Sequence, residues 1–300
     1  MRIFQCKTAN LHFFIAKLFA KIRKKLYLCR RNCIYTLKQP TISLIIGAYK
    51  NIDALRLIFL GLEQQSYKNF EVIVAEDNNS PEIAALVAAQ QQKGVFPLKH
   101  VSQDDIGFRK NKILNAAIRA SEGAFCTFID GDCIPHKHFL KDISKHAQEK
   151  VILGGRRVML SEKISKELYQ KQTFFGSISF MRLFFGGSKH IEKGLHLPFL
   201  PARTKNKNVF GCNMTISKND LVAVNGFDEF YEFPAFGEDR DIEWRLHQSG
   251  CKTVFPSCQM ILYHLDHPSI YRWEDVEKGM KILNEKKQKN EWKNHEKGLV

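Results

Sequence analysis

From residue 41 onward the chain switches repeatedly between two hydrophobic periods. The runs ISLIIGA (42–48), FEVIVAED (70–77), LKHVS (98–102) and AFCTFID (124–130) are short and apolar, the pattern of buried strands. Between them, residues 52–65, residues 81–92 and the segment RKNKILNAAIRAS read as helices. Strands alternating with helices imply right-handed crossovers and a mainly parallel sheet flanked by helices, an α/β fold. Ligands of such sheets bind beyond the carboxyl ends of the strands. Tyr49, Asp77 and the pair Asp130 and Asp132 all fall at such ends, so three strands deliver polar groups to one edge.

The alternation dissolves between about 160 and 208 into basic and aromatic stretches such as QTFFGSISFMRLFFGGSKH, with several glycines. This segment is expected to form an insertion over the site, either a mobile lid or a surface subdomain with a small core of its own. Beyond it lie VFGCNMTISK, NGFDEFYEF, the helix-like GEDRDIEWRLHQSG and the strand-like MILYHLDH, and the tail from Trp273 is charged and helical in pattern.

Composition changes this picture at the N-terminus. With 44% of its 300 residues hydrophobic, the chain can bury a real core, which excludes disorder as its main state. The net charge of +15 is concentrated: residues 1–40 hold ten Lys or Arg and no acid. In that arm Leu11, Phe14, Ile15, Leu18, Phe19, Ile22 and Leu26 recur at helical spacing, while Lys17, Lys21, Lys24 and Lys25 fall largely on other faces. The expectation is a cationic amphipathic helix lying on an anionic membrane surface. Phe and Leu at that spacing suit acyl chains better than nucleic acid, so no nucleic-acid partner is expected. The charge-free stretch LHFFIA is too short to span a bilayer, and no small-residue cleavage site of a signal peptide follows it. The eight cysteines show no C-x-x-C pair or zinc-ribbon spacing, which fits a reducing cytoplasm and a location on the inner face of the cell membrane.

The string FIDGDCIP poses the chemical question. Asp-Gly-Asp after a strand is either a turn or a pair of carboxylates aimed at one hard divalent cation. Its neighbours in sequence decide the reading. TISLIIGAYKN, VIVAEDNNS, FRKNKILNAAI, FIDGDCIP and then NGFDE with GEDRDIEWRL resemble, in order, the motifs of family 2 nucleotide-sugar glycosyltransferases. The resemblance covers roughly residues 41–267 and implies the GT-A fold, a Rossmann-like sheet. Its later part is similar to the galactosyltransferase and chondroitin-polymerase-like branch. It implies a nucleotide-sugar-binding half (41–159), the insertion (160–208), an acceptor-binding and catalytic half (209–270) and a charged helical tail (271–300).

The roles implied by the resemblance are specific. Ala48, Tyr49 and Asp77 form the base pocket, with Asp77 accepting from the uracil N–H. Asp77 has a structural alternative as an N-cap of the helix after Pro81. The sequence departs from the family's acidic-Asp-Gly-Ser in having Asn78 and Asn79, and Asn tolerates the left-handed backbone nearly as Gly does. Lys50 stands where the family often has Asn. Arg109 and Lys112, three apart on one helix face, are expected to meet the diphosphate. Asp132 is the leading ligand for Mn2+ or Mg2+. Asp130 is expected to order the ribose or a metal-bound water, with Gly131 between them, and His264, rather than His267, completes the metal site. Asp239 is the expected base, Glu238 its acceptor-binding partner, and Phe236 and Gly237 line the acceptor site. The implied activity is inverting transfer of a hexose or N-acetylhexosamine from a UDP-sugar to a glycan or glycolipid acceptor, such as lipopolysaccharide or capsule. The alternatives are a sugar nucleotidyltransferase and a non-catalytic carbohydrate-binding relative.

Overall fold

The computed structural model describes residues 42–204, 208–234, 238–268, 272–293 and 297–299. The predicted arm, and Phe236 and Gly237 of the predicted acceptor site, lie outside them. Four strands from the first half, β1 (Ile42–Ala48), β2 (Phe70–Glu76), β3 (Leu98–Ser102) and β4 (Phe125–Asp130), run parallel in the order β3-β2-β1-β4. The sheet continues from β4 through β9 (Asn213–Ser217), β6 (Val151–Gly154), β10 (Lys252–Pro256) and β8 (Ala202–Thr204), with β9 antiparallel to both neighbours and β8 antiparallel to β10. The expected α/β fold is therefore present, as a mixed sheet whose β3-β2-β1-β4 side is wholly parallel.

Alternation along each strand sorts side chains to two apolar layers. Ile42, Leu44, Ile46 and Ala48 of β1 join Val72 and Val74 in one, and Ile45 joins Ile73, Ala75 and Phe128 in the other. The first layer is covered by α1 (Ile52–Glu63) and α2 (Pro81–Lys93), the second by α3 (Lys110–Ala120), α7 (Lys218–Ala223) and α8 (Glu238–Gln248). Burial on both faces is why these strands read as near-continuous apolar runs. Local signals set the helix starts. Asn51 caps α1 by accepting from Ala54 N at 3.0 Å, and Ser80, followed by Pro81, caps α2 by accepting from Ile83 N at 3.2 Å.

A second sheet, β5-β11-β7, is built from β5 (Cys133–Pro135), β11 (Ile261–His264) and β7 (Arg156–Met159). Of these only β11 has a legible sequence pattern, an apolar and wholly buried ILYH, whereas β7 is the charged RRVM and β5 has three residues. The segment from 160 contains α5 (Glu162–Lys171), α6 (Phe180–Phe185) and a 3-10 turn at Ile191–Gly194. Its Ile164, Leu168, Phe174, Ile178 and Leu183 are buried in the same layer as β1 and β2, so this segment shares the main core. The remaining elements are α4 (Phe139–His146) and α9 (Trp273–Gln288), the latter in the predicted tail. Among the described residues no helix is long and apolar enough to cross a membrane.

Candidate active site

Parallel pairing brings the ends of β1, β2 and β4 together in register, Gly47 opposite Asp130 and Ala48 opposite Glu76. Beyond this edge lies a cavity of about 460 Å³ whose walls include Ala48, Tyr49, Asp77, Lys110, Asp132 and His267. Asp130 and Gly131 also line it. Gly131 is there by steric necessity: a Cβ at this position would lie 2.8 Å from the Gly47 carbonyl oxygen. The Asp-Gly-Asp string thus lets β4 pass hard against β1 while its two carboxylates diverge.

Asp77 is not the cap of α2, since Ser80 holds that place. It is buried and ties the end of β2 to the start of α3, accepting from Arg109 N at 2.8 Å and from Gln103 Nε2 at 2.6 Å. Asn79 has a φ of 52°, the left-handed conformation that a Gly would otherwise supply. Tyr49 is half exposed, and its hydroxyl lies 3.4 Å from Asp105.

The two aspartates have different partners. Asp132 faces the second sheet, where His264 is paired with Cys133 and Leu265 N donates to Asp132 O at 2.9 Å. His267 Nε2 and His264 Nε2 lie 2.9 and 3.6 Å from Asp132 Oδ2. One donor atom from each of Asp132, His264 and His267 falls within 4.8 Å of the others. A carboxylate with two imidazoles is a donor set suited to Mn2+, and the buried Nδ1 of His264 has no hydrogen-bond partner. The residues therefore fit a divalent cation. Burial opposes ionisation of Asp132, yet the hydrogen bond from His267 and the charge of His264 hold its pKa down at about 2. His267 and His264 both converge on Asp132, where the sequence points to His264 alone. Asp130, expected to stand beside the metal, is not in this group. Its carboxylate meets Lys110 Nζ at 2.9 Å and lies 3.9 Å from Arg157 Nη1.

Lys110 is the cation of the site, in place of the expected Arg109 and Lys112. It shares a helix face with the buried Ile113, Leu114 and Ala117, so its stem follows the apolar side of α3 and its ammonium emerges over the strand ends. That spacing is present in the sequence, and it distinguishes Lys110 from the two flanking cations. Lys112 is exposed, the Arg109 guanidinium turns to the carbonyl of Asp104, and neither lines the cavity. Lys110 also reaches Glu238 Oε1 at 3.4 Å, so one ammonium joins a carboxylate of the first half to one of the second. Burial works against its charge, but Asp130 and Glu238 outweigh it and raise its pKa. Arg157 is the second unforeseen cation, on a strand too short to be recognised.

Glu238 and Asp239 form the first turn of α8, where the helix dipole favours anions. Burial, and then the neighbouring Glu238, raise the Asp239 carboxyl to about 6. Gly211 N lies 3.4 Å from its Oδ2. The helix is fixed from below by a buried ion network. Arg245 Nε donates to Asp241 at 2.6 Å and Arg245 Nη1 to the carbonyls of Val224 and Gly226, while Lys286 of α9 bridges Asp241 and Asp228. The NGFDE motif belongs to this scaffold: Asn115 of α3 makes two hydrogen bonds with the backbone of Phe227, and Asn111 donates to Asp228 O.

Known proteins resemble this chain in sequence and in fold. The sequence profile described as glycosyl transferase family 2 covers residues 43–202, more than half of the chain, and that of the N-terminal domain of galactosyltransferase covers residues 195–268. Chondroitin synthase of Pasteurella multocida (strain Pm70) is 26% identical over 280 residues, 83% of this chain and 28% of that protein. Validoxylamine A glucosyltransferase of Streptomyces hygroscopicus subsp. limoneus is 25% identical over 70% of this chain, which spans about half (49%) of that protein's length. Among solved structures, GalNAc-T7 with UDP, GalNAc and Mn2+ superposes with a TM-score of 0.59 at 12% identity, covering 84% of this chain and 48% of that one. The mannosyltransferase PcManGT from Pyrobaculum calidifontis, with GDP-Man and Mn2+, superposes at 0.52 with 14% identity, covering 78% and 59%. Those two likenesses establish the GT-A fold. On the profile match and the order of its motifs, the chain belongs to glycosyl transferase family 2.

Proposed function

We propose that the protein is a metal-dependent inverting glycosyltransferase that moves a hexose or N-acetylhexosamine from a UDP-sugar to a surface-glycan acceptor at the inner face of the cell membrane. The observation that carries this reading is a carboxylate–imidazole donor set lining one sheet edge, where Lys110 also reaches Glu238, the neighbour of Asp239 with its raised carboxyl pKa. The complexes of GalNAc-T7 and PcManGT with nucleotides and Mn2+ support a nucleotide-sugar donor and a divalent ion. The likeness to chondroitin synthase supports a polysaccharide acceptor, and the amphipathic pattern of the arm supports the membrane face.

Ala48, Tyr49 and Asp77 bound the nucleotide end of the cavity, with one lone pair on each Asp77 oxygen still free for the base. Asp132, His264 and His267 hold Mn2+ or Mg2+, which when bound supplies charge neutralisation to the diphosphate without proton transfer. Lys110 adds a fixed positive charge beside them, 2.9 Å from Asp130 and 3.4 Å from Glu238. Asp239 takes the proton of the acceptor hydroxyl as that oxygen bonds to the anomeric carbon from the face opposite the leaving group. The bond from that carbon to the diphosphate breaks, UDP departs with the electron pair, and the configuration inverts. Glu238 orients the acceptor hydroxyls. The test is a panel of UDP-sugars with manganese, scored for UDP release with and without glycan acceptors. Release from one donor, stimulated by an acceptor and abolished by chelator, is expected. Pyrophosphate-dependent sugar-nucleotide turnover without glycan transfer would instead identify a nucleotidyltransferase.

A further inference from the structure

The apolar surface of this chain is unevenly placed. In the stretch 175–199, Phe175 and Phe185 are 84% and 74% exposed, and Phe180, Met181 and Phe184 are exposed on the same helix as Phe185. Single exposed apolar residues need no explanation, but a cluster of large ones does. The display is built rigidly. Leu183 of α6 is fully buried, so the helix turns Phe180, Met181, Phe184 and Phe185 outward as one stripe. Gly186 lets the end of α6 press on α5, since a Cβ there would lie 2.5 Å from Ile164 Cδ1, and a Cβ at Gly194 would lie 2.9 Å from Leu183. The rings are therefore exposed on a packed base rather than on a loose loop.

Charge around the stripe is net positive. The only acid between 175 and 199 is Glu192, paired with Lys193 at 3.0 Å, against Arg182 and Lys189. Arg182 and Lys171 share the single carboxylate of Glu167, which leaves that corner net positive. The neighbouring cavity, between α5 and Phe175, has only about 130 Å³ and offers no groove for a helix or peptide. Projecting rings without a groove, ringed by cations, suit a fluid anionic surface. The same stretch is tied to the candidate metal donors: Lys189 bridges Met159, the register partner of His264, and Ile178 N donates to Tyr263 Oη at 3.2 Å.

We propose that the α6 face and its flanking Phe175 form a membrane-docking surface for anionic lipid, separate from the N-terminal arm. This seats the edge carrying His264 and His267 close to a bilayer. The test is co-sedimentation of the full chain with mixed phosphatidylglycerol–phosphatidylcholine vesicles and with pure phosphatidylcholine vesicles. Two sets of substitutions are compared, F14S/L18S/F19S in the arm and F175S/F184S/F185S on the patch, separately and together. The arm variant should still bind the anionic vesicles, and adding the patch substitutions should lower partitioning on the order of tenfold or more, the worth of burying one Phe. Melting temperature and lipid-free UDP-sugar hydrolysis should not change with the patch substitutions. No binding by the arm variant, or equal partitioning with and without the patch residues, overturns the proposal. So does a dimer that the patch substitutions dissociate with no effect on lipid. If the triple variant misfolds, Phe185→Trp serves: its emission should shift to the blue on anionic vesicles, and a fixed emission overturns the proposal. The vesicle readout needs no catalysis, so its failure and that of the glycosyltransferase reading are separable.

Discussion

Asp239 carries the sharpest consequence, because its environment couples activity to stability in opposite senses. Burial and Glu238 raise its carboxyl from 3.8 to about 6. As a base it works only when ionised, so kcat/KM should climb about tenfold per pH unit below pH 6 and level off above it. Asp239→Asn preserves shape but cannot accept a proton, and should cut turnover by roughly 10²–10⁴-fold and erase this limb. The same shift means that the folded state binds the proton more tightly than the unfolded one. The contribution of this group to stability is therefore highest below pH 3.8, falls as pH rises to about 6, and stays lower above it. Keeping Asp239 ionised costs about 3 kcal/mol at pH 7, from about 1.36 kcal/mol for each unit between 3.8 and 6. The Asn variant sheds that cost, so it should melt on the order of 5 °C higher than the wild type at pH 8 and nearly level with it near pH 4. The assays are UDP release across pH and thermal unfolding at the two pH values. A limb that survives in Asp239→Asn refutes the assignment of the base, and if Glu238→Gln removes it the base is Glu238. Equal melting at pH 8 refutes the burial argument itself.

Other outcomes follow from neighbouring contacts. Replacing Asp132 by Asn, or His264 or His267 by Ala, should each weaken Mn2+ binding about tenfold or more by calorimetry, with circular dichroism unchanged. Gly131→Ala should lose about 1–3 kcal/mol in urea denaturation and bind UDP more weakly, since its Cβ meets the Gly47 carbonyl at 2.8 Å. Arg245→Met strips donors from two carbonyls and a partner from buried Asp241, and should destabilise by about 3 kcal/mol in the same measurement.

The first half of the chain is legible in its amino-acid sequence. β1, β2, β3 and β4 and the helices between them follow from apolar runs and helical spacing, which act within a few residues, although the cap of α2 is Ser80 and not Asp77. Parallel topology then forces the ends of β1, β2 and β4 to one edge, which is why Ala48, Tyr49, Asp77 and Asp132 can be assigned to a common site from sequence alone. Lys110 is also written there, on the apolar side of its helix.

What tertiary structure alone decided is which distant groups meet. The pairing of His264 with Cys133 unites residues more than a hundred positions apart, one of them on a three-residue strand, and His267 joins His264 at Asp132. The ion pairs of Lys110 with Asp130 and Glu238 join the two halves in the same way. The raised carboxyl of Asp239 depends on burial, which a residue acquires only from its packing. The segment from 160 to 199 is equally opaque in sequence, because Leu183 and Ile164 point into a core assembled from remote strands while the adjacent aromatics point out. Sequence records the local spacing of residues, whereas register between remote strands and the desolvation of a charge come into being only when the chain has closed on itself.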